Sequence, residues 1–240
     1  MSYTFLGLVN EVNRRFNEVE LTSANFASSK GFYSTVKDSV NTAIRDINQT
    51  HYEWPFNHAS VTLPLVVGQS RYPYPANASS VNYETFRIKE NTTFNNDTTK
   101  LDSLTYEEYL SRFVDQEYTT DTTQRALPRY IVHPPSQEIL VSPAPDNAYE
   151  LVYEYYTVPD DLSLATDVPT IPSRFKHVIV EGALYHAYMF RGNEQSAAMA
   201  KGKFEEAMKK MRIILINRYN YVTSTYTPSY QTVGVAGPRV

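Results

Sequence analysis

One stretch, residues 172–220, limits what this chain can fold into more than any other. Its first half, 173–191, reads as a helix that is apolar around nearly its whole circumference. Phe175, Val178, Ile179, Val180, Ala183, Leu184, Ala187, Tyr188, Met189 and Phe190 leave only Arg174, His177 and Glu181 as a polar line. A helix hydrophobic on most sides must be packed on most sides. Ser173, after Pro172, is the expected N-cap, and Gly192-Asn193 breaks the chain before a second helix. Asn193 caps that second helix, which is expected to run to about Tyr219. It is amphipathic: Ala197, Ala200, Phe204, Ala207, Met208, Met211, Ile214 and Leu215 recur at helical spacing. Lys203, Glu206, Lys209, Lys210 and Arg212 lie mostly off that stripe. Gly182 costs about 1 kcal/mol of helix propensity relative to alanine. Its place in a buried helix predicts close approach by a neighbour.

The chain must supply partners for the buried helix, and the amino-terminal end offers two. Residues 4–19 present Phe5, Val9, Val12, Phe16 and Val19 on one helical face. After a polar loop at 22–30, a helix within 31–48 carries the stripe Val36, Val40, Ala43, Ile44 and Ile47. These readings predict a four-helix assembly made from both chain ends.

At Trp54-Pro55-Phe56 the apolar period changes from 3.6 to 2, and Pro55 cannot continue a helix. Val61, Leu63 and Leu65 alternate with Thr62 and Pro64, and Val67-Gly68-Gln69-Ser70 is a turn before Tyr72 and Tyr74. Pro64, Pro73 and Pro75 point to edge strands. Further strands are expected at 84–90, 99–104, 128–133, 137–142 and 148–157, with an exposed loop tip at 91–98. One short helix interrupts them, where Thr105 and Glu108 fit a capping box. The fold class that follows is α+β. A helical bundle domain (1–52 and 172–220) holds an inserted antiparallel β domain (53–157). An acidic, proline-rich return linker (158–171) leads back to the bundle, and an extended carboxy-terminal segment (221–240) follows it.

That last segment, YVTSTYTPSYQTVGVAGPRV, has no acidic residue and one arginine. Solvated disordered segments are usually charged and poor in aromatics. Tyr221, Tyr226, Tyr230, Val233, Val235 and Arg239 make it a candidate docking segment, ordered by another subunit through strand addition or groove binding.

Composition narrows the function classes. A formal net charge of −4 argues against a general nucleic-acid binder. Cysteine is absent, so neither a disulfide framework nor a thiolate metal site is available. The first residues lack a basic start and a pure apolar run, so no signal peptide is expected. No stretch reaches the roughly 18 apolar residues of a membrane helix. The 20 tyrosines suit either interfaces or ordinary sheet packing.

Phosphate-binding glycine loops and the nucleophile elbow are missing. His177 and Glu181 share a helix face, with His186 one turn on but rotated away, and they read as a structural His–Glu pair. Asp160, Asp161 and Asp167 could bind calcium, but their spacing does not fit an EF-hand, and a solvated linker is the plainer reading. Arg125, Arg129 and His133 are too sparse for a basic patch. No active site, metal or cofactor is nominated.

The order of these features resembles a known family. It lies in Val36, Val40-Asn41, Ala43-Ile44 and Ile47, then Trp54-Pro55-Phe56, then Gly68-Gln69 and Tyr72-Pro73-Tyr74-Pro75. It continues through Asp167, Ile171-Pro172, Phe175, Val178-Ile179 and Gly182-Ala183-Leu184 to the Gly192-Asn193 break. The chain thereby resembles the head-to-tail adaptor proteins of tailed bacteriophages over most of residues 30–220. The resemblance implies a structural virion protein of the neck or tail, assembled in the host cytoplasm, with no enzymatic activity. Such adaptors form a ring, commonly of twelve subunits, beneath the portal protein. Their helical part builds the ring, and their β part faces the next tail component, a nozzle or tail tube. The carboxy-terminal segment reaches the portal, and genomic DNA passes through the lumen without sequence-specific binding. Other readings are a tail nozzle or fibre-anchoring protein, a carbohydrate-binding module using Trp54, and an enzyme using His177, Glu181 and His186.

Overall fold

The computed structural model describes residues 3–51, 53–89, 98–118 and 121–216. The amino-terminal part forms α1 (Phe5–Arg15), the short α2 (Ser23–Phe26) and α3 (Phe32–Thr50). Thr4 caps α1, its hydroxyl accepting the Gly7 N–H at 3.3 Å. Asn17, with φ of +56°, turns the chain out, so the helix ends at Arg15 rather than 19 and Val19 is exposed. The expected polar loop at 22–30 contains α2. Four residues are too few to show a period, but they bury Phe26, which meets Phe5 edge-on at 5.1 Å. Gly31, at φ +64°, opens α3 in a conformation that side chains with a Cβ avoid.

The middle of the chain supplies β1 (His58–Pro64), β2 (Arg71–Pro73), β3 (Ala78–Lys89), β4 (Thr98–Lys100) and β5 (Asp102–Leu104). Two short helices follow, α4 (Tyr106–Arg112) and α5 (Val114–Tyr118), and then β6 (Tyr130–Val132), β7 (Glu138–Ser142) and β8 (Glu150–Thr157). One sheet has the order β1-β8-β3-β4 and the other β2-β7-β6-β5. The proline-bearing strands β1 and β2 are edges, where a missing N–H costs no ladder bond. The expectation of a wholly antiparallel insert is corrected at one pair: β5 runs parallel to β6, Asp102 opposite Tyr130 and Leu104 opposite Val132. The connection between them carries α4 and α5, and a parallel pair requires such a crossover.

Residues from both sheets share one core, with Phe86 and Ile88 of β3, Tyr153 and Tyr155 of β8, Tyr72 of β2 and Ile139 of β7. Phe86 stacks on Tyr153 at 4.6 Å. Alternation sends Val132 and Leu140 to the far face of the second sheet, where Tyr109 of α4 covers them. Many of the tyrosines are therefore sheet filling.

The chain then returns to the helices. A 3-10 turn, Ser173–Phe175, precedes α6 (Lys176–Phe190), and α7 (Glu194–Leu215) is the last element among the described residues. Ser173 is therefore not the N-cap of a continuous helix: it begins the 3-10 turn, and no side chain caps α6. Gly192 at φ +70° makes the break, and the Asn193 side chain accepts the Ser196 N–H at 3.0 Å to start α7. Packed against α6 are α1, α3 and α7. Val178, Ile179, Val180, Ala183 and Ala187 are fully buried. Its end is not: Phe190 is 63% exposed and Met189 is also open. On α7 the stripe holds from Ala197 to Met211 and Leu215 still packs on the core, but Ile214 is 62% exposed, turned away from that face.

Asn57 ties the helices to the sheets. It is buried; its amide donates to Asn48 of α3 at 2.7 Å, and its carbonyl accepts from Thr157 of β8 at 3.1 Å.

Candidate functional site

Between α3, α6 and α7 lies a groove of about 770 Å³. Phe204 and Met208 of α7 form its apolar floor, and Lys201, Lys209 and Arg212 stand around it. Asp46 at the end of α3 holds His186 of α6, Nε2 to Oδ2 at 2.8 Å. His51 closes one end, its pKa pushed down by burial and by the nearby Arg212. The groove follows from local sequence: small residues on α6 bring α7 close, while the longer side chains of α7 splay along its edge.

A second surface is the return linker. Its backbone is bound to both amino-terminal helices: Phe5 N–H donates to the Asp167 carbonyl at 2.7 Å and Leu6 N–H to Ala165 at 3.1 Å. Asn41 of α3 donates to the Leu162 carbonyl at 3.0 Å and accepts the Leu162 N–H at 3.1 Å. Arg45 bonds Asp161 at 3.0 Å. Asp167 accepts the N–H groups of Ser163 and Leu164, and these bonds hold its carboxyl below the usual range. Two of the three linker aspartates are thus occupied structurally rather than facing a common ligand. Leu164 and Val168 remain exposed, at 64% and 58%.

A third cluster secures the far end of the β part. Arg71 of β2 forks onto Glu117 of α5, with one of the two bonds at 3.0 Å, and reaches Glu138 at 3.5 Å. Tyr109 donates to Glu117 at 2.8 Å. The hydrogen bond from Arg71 holds the Glu117 pKa down against the opposing effect of burial. This cluster braces α4 and α5 against the sheet edge.

The residues singled out for chemistry do not converge. His177 is exposed, and Glu181 bonds Arg15 of α1 at 2.6 Å instead of pairing with His177. His186 belongs to the groove. Among the described residues no group of three or more His, Asp or Glu could hold a metal ion. Arg125 lies against Gly68, and His133 stacks on Tyr74 at 6.2 Å and lies tilted against Tyr83 at 5.0 Å. Trp54 is fully buried, donates to the Ile47 carbonyl at 2.8 Å and stacks on Phe56 at 5.5 Å, so it has no face to offer a sugar. Of the polar residues on α7, Glu206 pairs with Lys210 at 2.6 Å. No described helix is long and apolar enough to cross a membrane. Tyr221, Tyr226, Tyr230, Val233, Val235 and Arg239 lie outside the described residues. The groove leaves no local trace in sequence, because its lining comes from three separate helices and mixes their solvated faces with the edge of the apolar stripe.

The family model for the SU10 adaptor protein matches residues 3–229, spanning the helices, both sheets and the linker. No curated protein matches the chain.

Proposed function

The chain belongs to the SU10 adaptor protein family, and from that premise we propose that it builds a ring of about twelve copies joining portal to tail and lining the DNA channel. Membership makes it a structural adaptor of a phage, with portal and tail as its partners and the virion neck as its place. The observation that carries the reading is the extent of the match: from residue 3 to 229 it takes in the amino-terminal helices, the β insert, α6 and α7.

In this reading the two cores are two domains. The helical one forms the ring and the sheets meet the next tail component, a nozzle or tail tube. Residues 221–240 dock on the portal through Tyr221, Tyr226, Tyr230, Val233 and Val235, with Arg239 at the end. Ordering about twenty residues costs on the order of 20–40 kcal/mol in backbone entropy alone, so a single segment binds modestly. Many segments engaged together then secure the joint. The net charge of −4 suits a lumen through which phosphates must slide rather than stick. Its work is to be held between partners, so it needs no cofactor.

Electron microscopy of the purified protein mixed with portal rings tests this. A closed ring seated on the portal is the expected result. Monomers that persist beside intact portal rings would overturn the reading.

A further inference from the structure

We propose that neighbouring copies join by seating the return linker of one in the α3–α6–α7 groove of the next. This deepens the ring reading and rests on it.

The two surfaces lie on different flanks of α3. At 3.6 residues per turn, Asp46 and Thr50, which line the groove, stand roughly 140° around the helix from Asn41 and Arg45, which hold the linker. Between the two flanks on the inner side runs the buried stripe Val40, Ala43, Ile44 and Ile47. One copy therefore cannot bring its own linker to its own groove. Contact between different patches of two copies is heterologous, and it generates a ring when the rotation closes.

The surfaces also match chemically. The linker, 158–171, holds three aspartates and no lysine or arginine; Asp161 is paired with Arg45 and Asp167 is bound within the linker, which leaves Asp160 to meet the groove's cations. The groove sets Lys201, Lys209 and Arg212 against Asp46 and Glu205, and Asp46 is already engaged by His186. Exposed Leu164 and Val168 bring apolar surface to a groove whose floor, Phe204 and Met208, is the nearly buried edge of the helical core, 7% and 9% exposed. Both sides are shaped before they meet, since the linker backbone is bound to α1 and α3 in the single copy. Little ordering entropy opposes association.

The absence of cysteine makes the test direct. Leu164→Cys and Lys209→Cys single variants are mixed before assembly, brought to mixed rings and treated with a short bismaleimide. The expected product is a covalent dimer from the mixture and none from either variant alone. The double variant should give a ladder extending to the full ring. Separately, Asp160→Lys should move ring assembly to several-fold higher protein concentration at low salt, and adding Lys209→Glu should restore it. Rings visible by microscopy that yield no dimer from the mixture would sink this interface while leaving the ring reading intact. A wild-type protein that forms no ring with portal present would overturn the ring reading, and this interface with it.

Discussion

Gly182 of α6 faces Phe204 of α7 so closely that a Cβ on the glycine would stand 2.9 Å from the ring, and equally near the Ala43 Cβ of α3. The missing carbon lets two helices press on α6 at one level. Gly182→Ala gains about 1 kcal/mol of helix propensity but overpacks a junction where such changes cost about 1–3 kcal/mol. Ala43 has no rotamer with which to yield. The variant should unfold at lower urea concentration than wild type. A higher midpoint would mean that the helices separate freely there.

Val180 is fully buried at the centre of α6. Val180→Asp puts a carboxylate where no partner waits, a mechanism that reaches about 4 kcal/mol or more. Ile179→Val, one methylene lost at an equally buried position, should cost only about 1 kcal/mol. Melting temperatures of the pair compare charge with volume, and equal losses would refute the placement of Val180.

Trp54 is the sole tryptophan, so its fluorescence reports on one place. Its emission should be that of a buried indole and should shift red in the same transition that melts the helices. Trp54→Ala should lower stability by about 3–5 kcal/mol through the cavity left under α3. A mild effect would show that His51 and Phe56 collapse into the space.

Glu117 has a folded-state pKa held below its ordinary 4.5 by the hydrogen bond from Arg71. A depressed carboxylate pKa contributes stability that is complete above the unfolded value and is lost as pH falls through the folded one. Below about pH 4.5, Glu117→Gln should therefore lose stability less steeply than wild type, while starting less stable at pH 7. Chemical denaturation across pH 2–7 measures both, and parallel acid limbs would show that the pair is not coupled to folding.

Deleting residues 221–240 should leave the melting temperature of the described fold unchanged and abolish attachment to the portal. Co-sedimentation with portal rings reads the second effect. Full attachment by the truncated protein would place the anchor elsewhere.

How much of this was legible follows from the length of each signal. The buried helix, its break at Gly192-Asn193 and the long strand β8 could be read because each repeats its pattern over several turns or pleats. Prolines marked β1 and β2 as edges through a local rule about N–H groups. The parallel pair β5–β6 could not be read, since three residues carry no period and pairing is settled by what lies between them. Pattern also overstated burial at Phe190 and Ile214: an apolar residue announces a preference, not the presence of a neighbour. The ion pairs Arg15–Glu181 and Arg71–Glu117 and the Asp46–His186 hydrogen bond join positions far apart in sequence, with no local trace. The groove was hidden for the same reason.

The order in which the elements are made carries a consequence. α6 is the central strut of the helical core, yet it is synthesised after the whole β part. While the ribosome is still translating, α1 and α3 have only each other for their apolar faces, whereas the sheets that follow them already hold every strand of their shared core. The β part can therefore settle on the nascent chain, and the helical part closes last, only when the final third of the polypeptide has emerged.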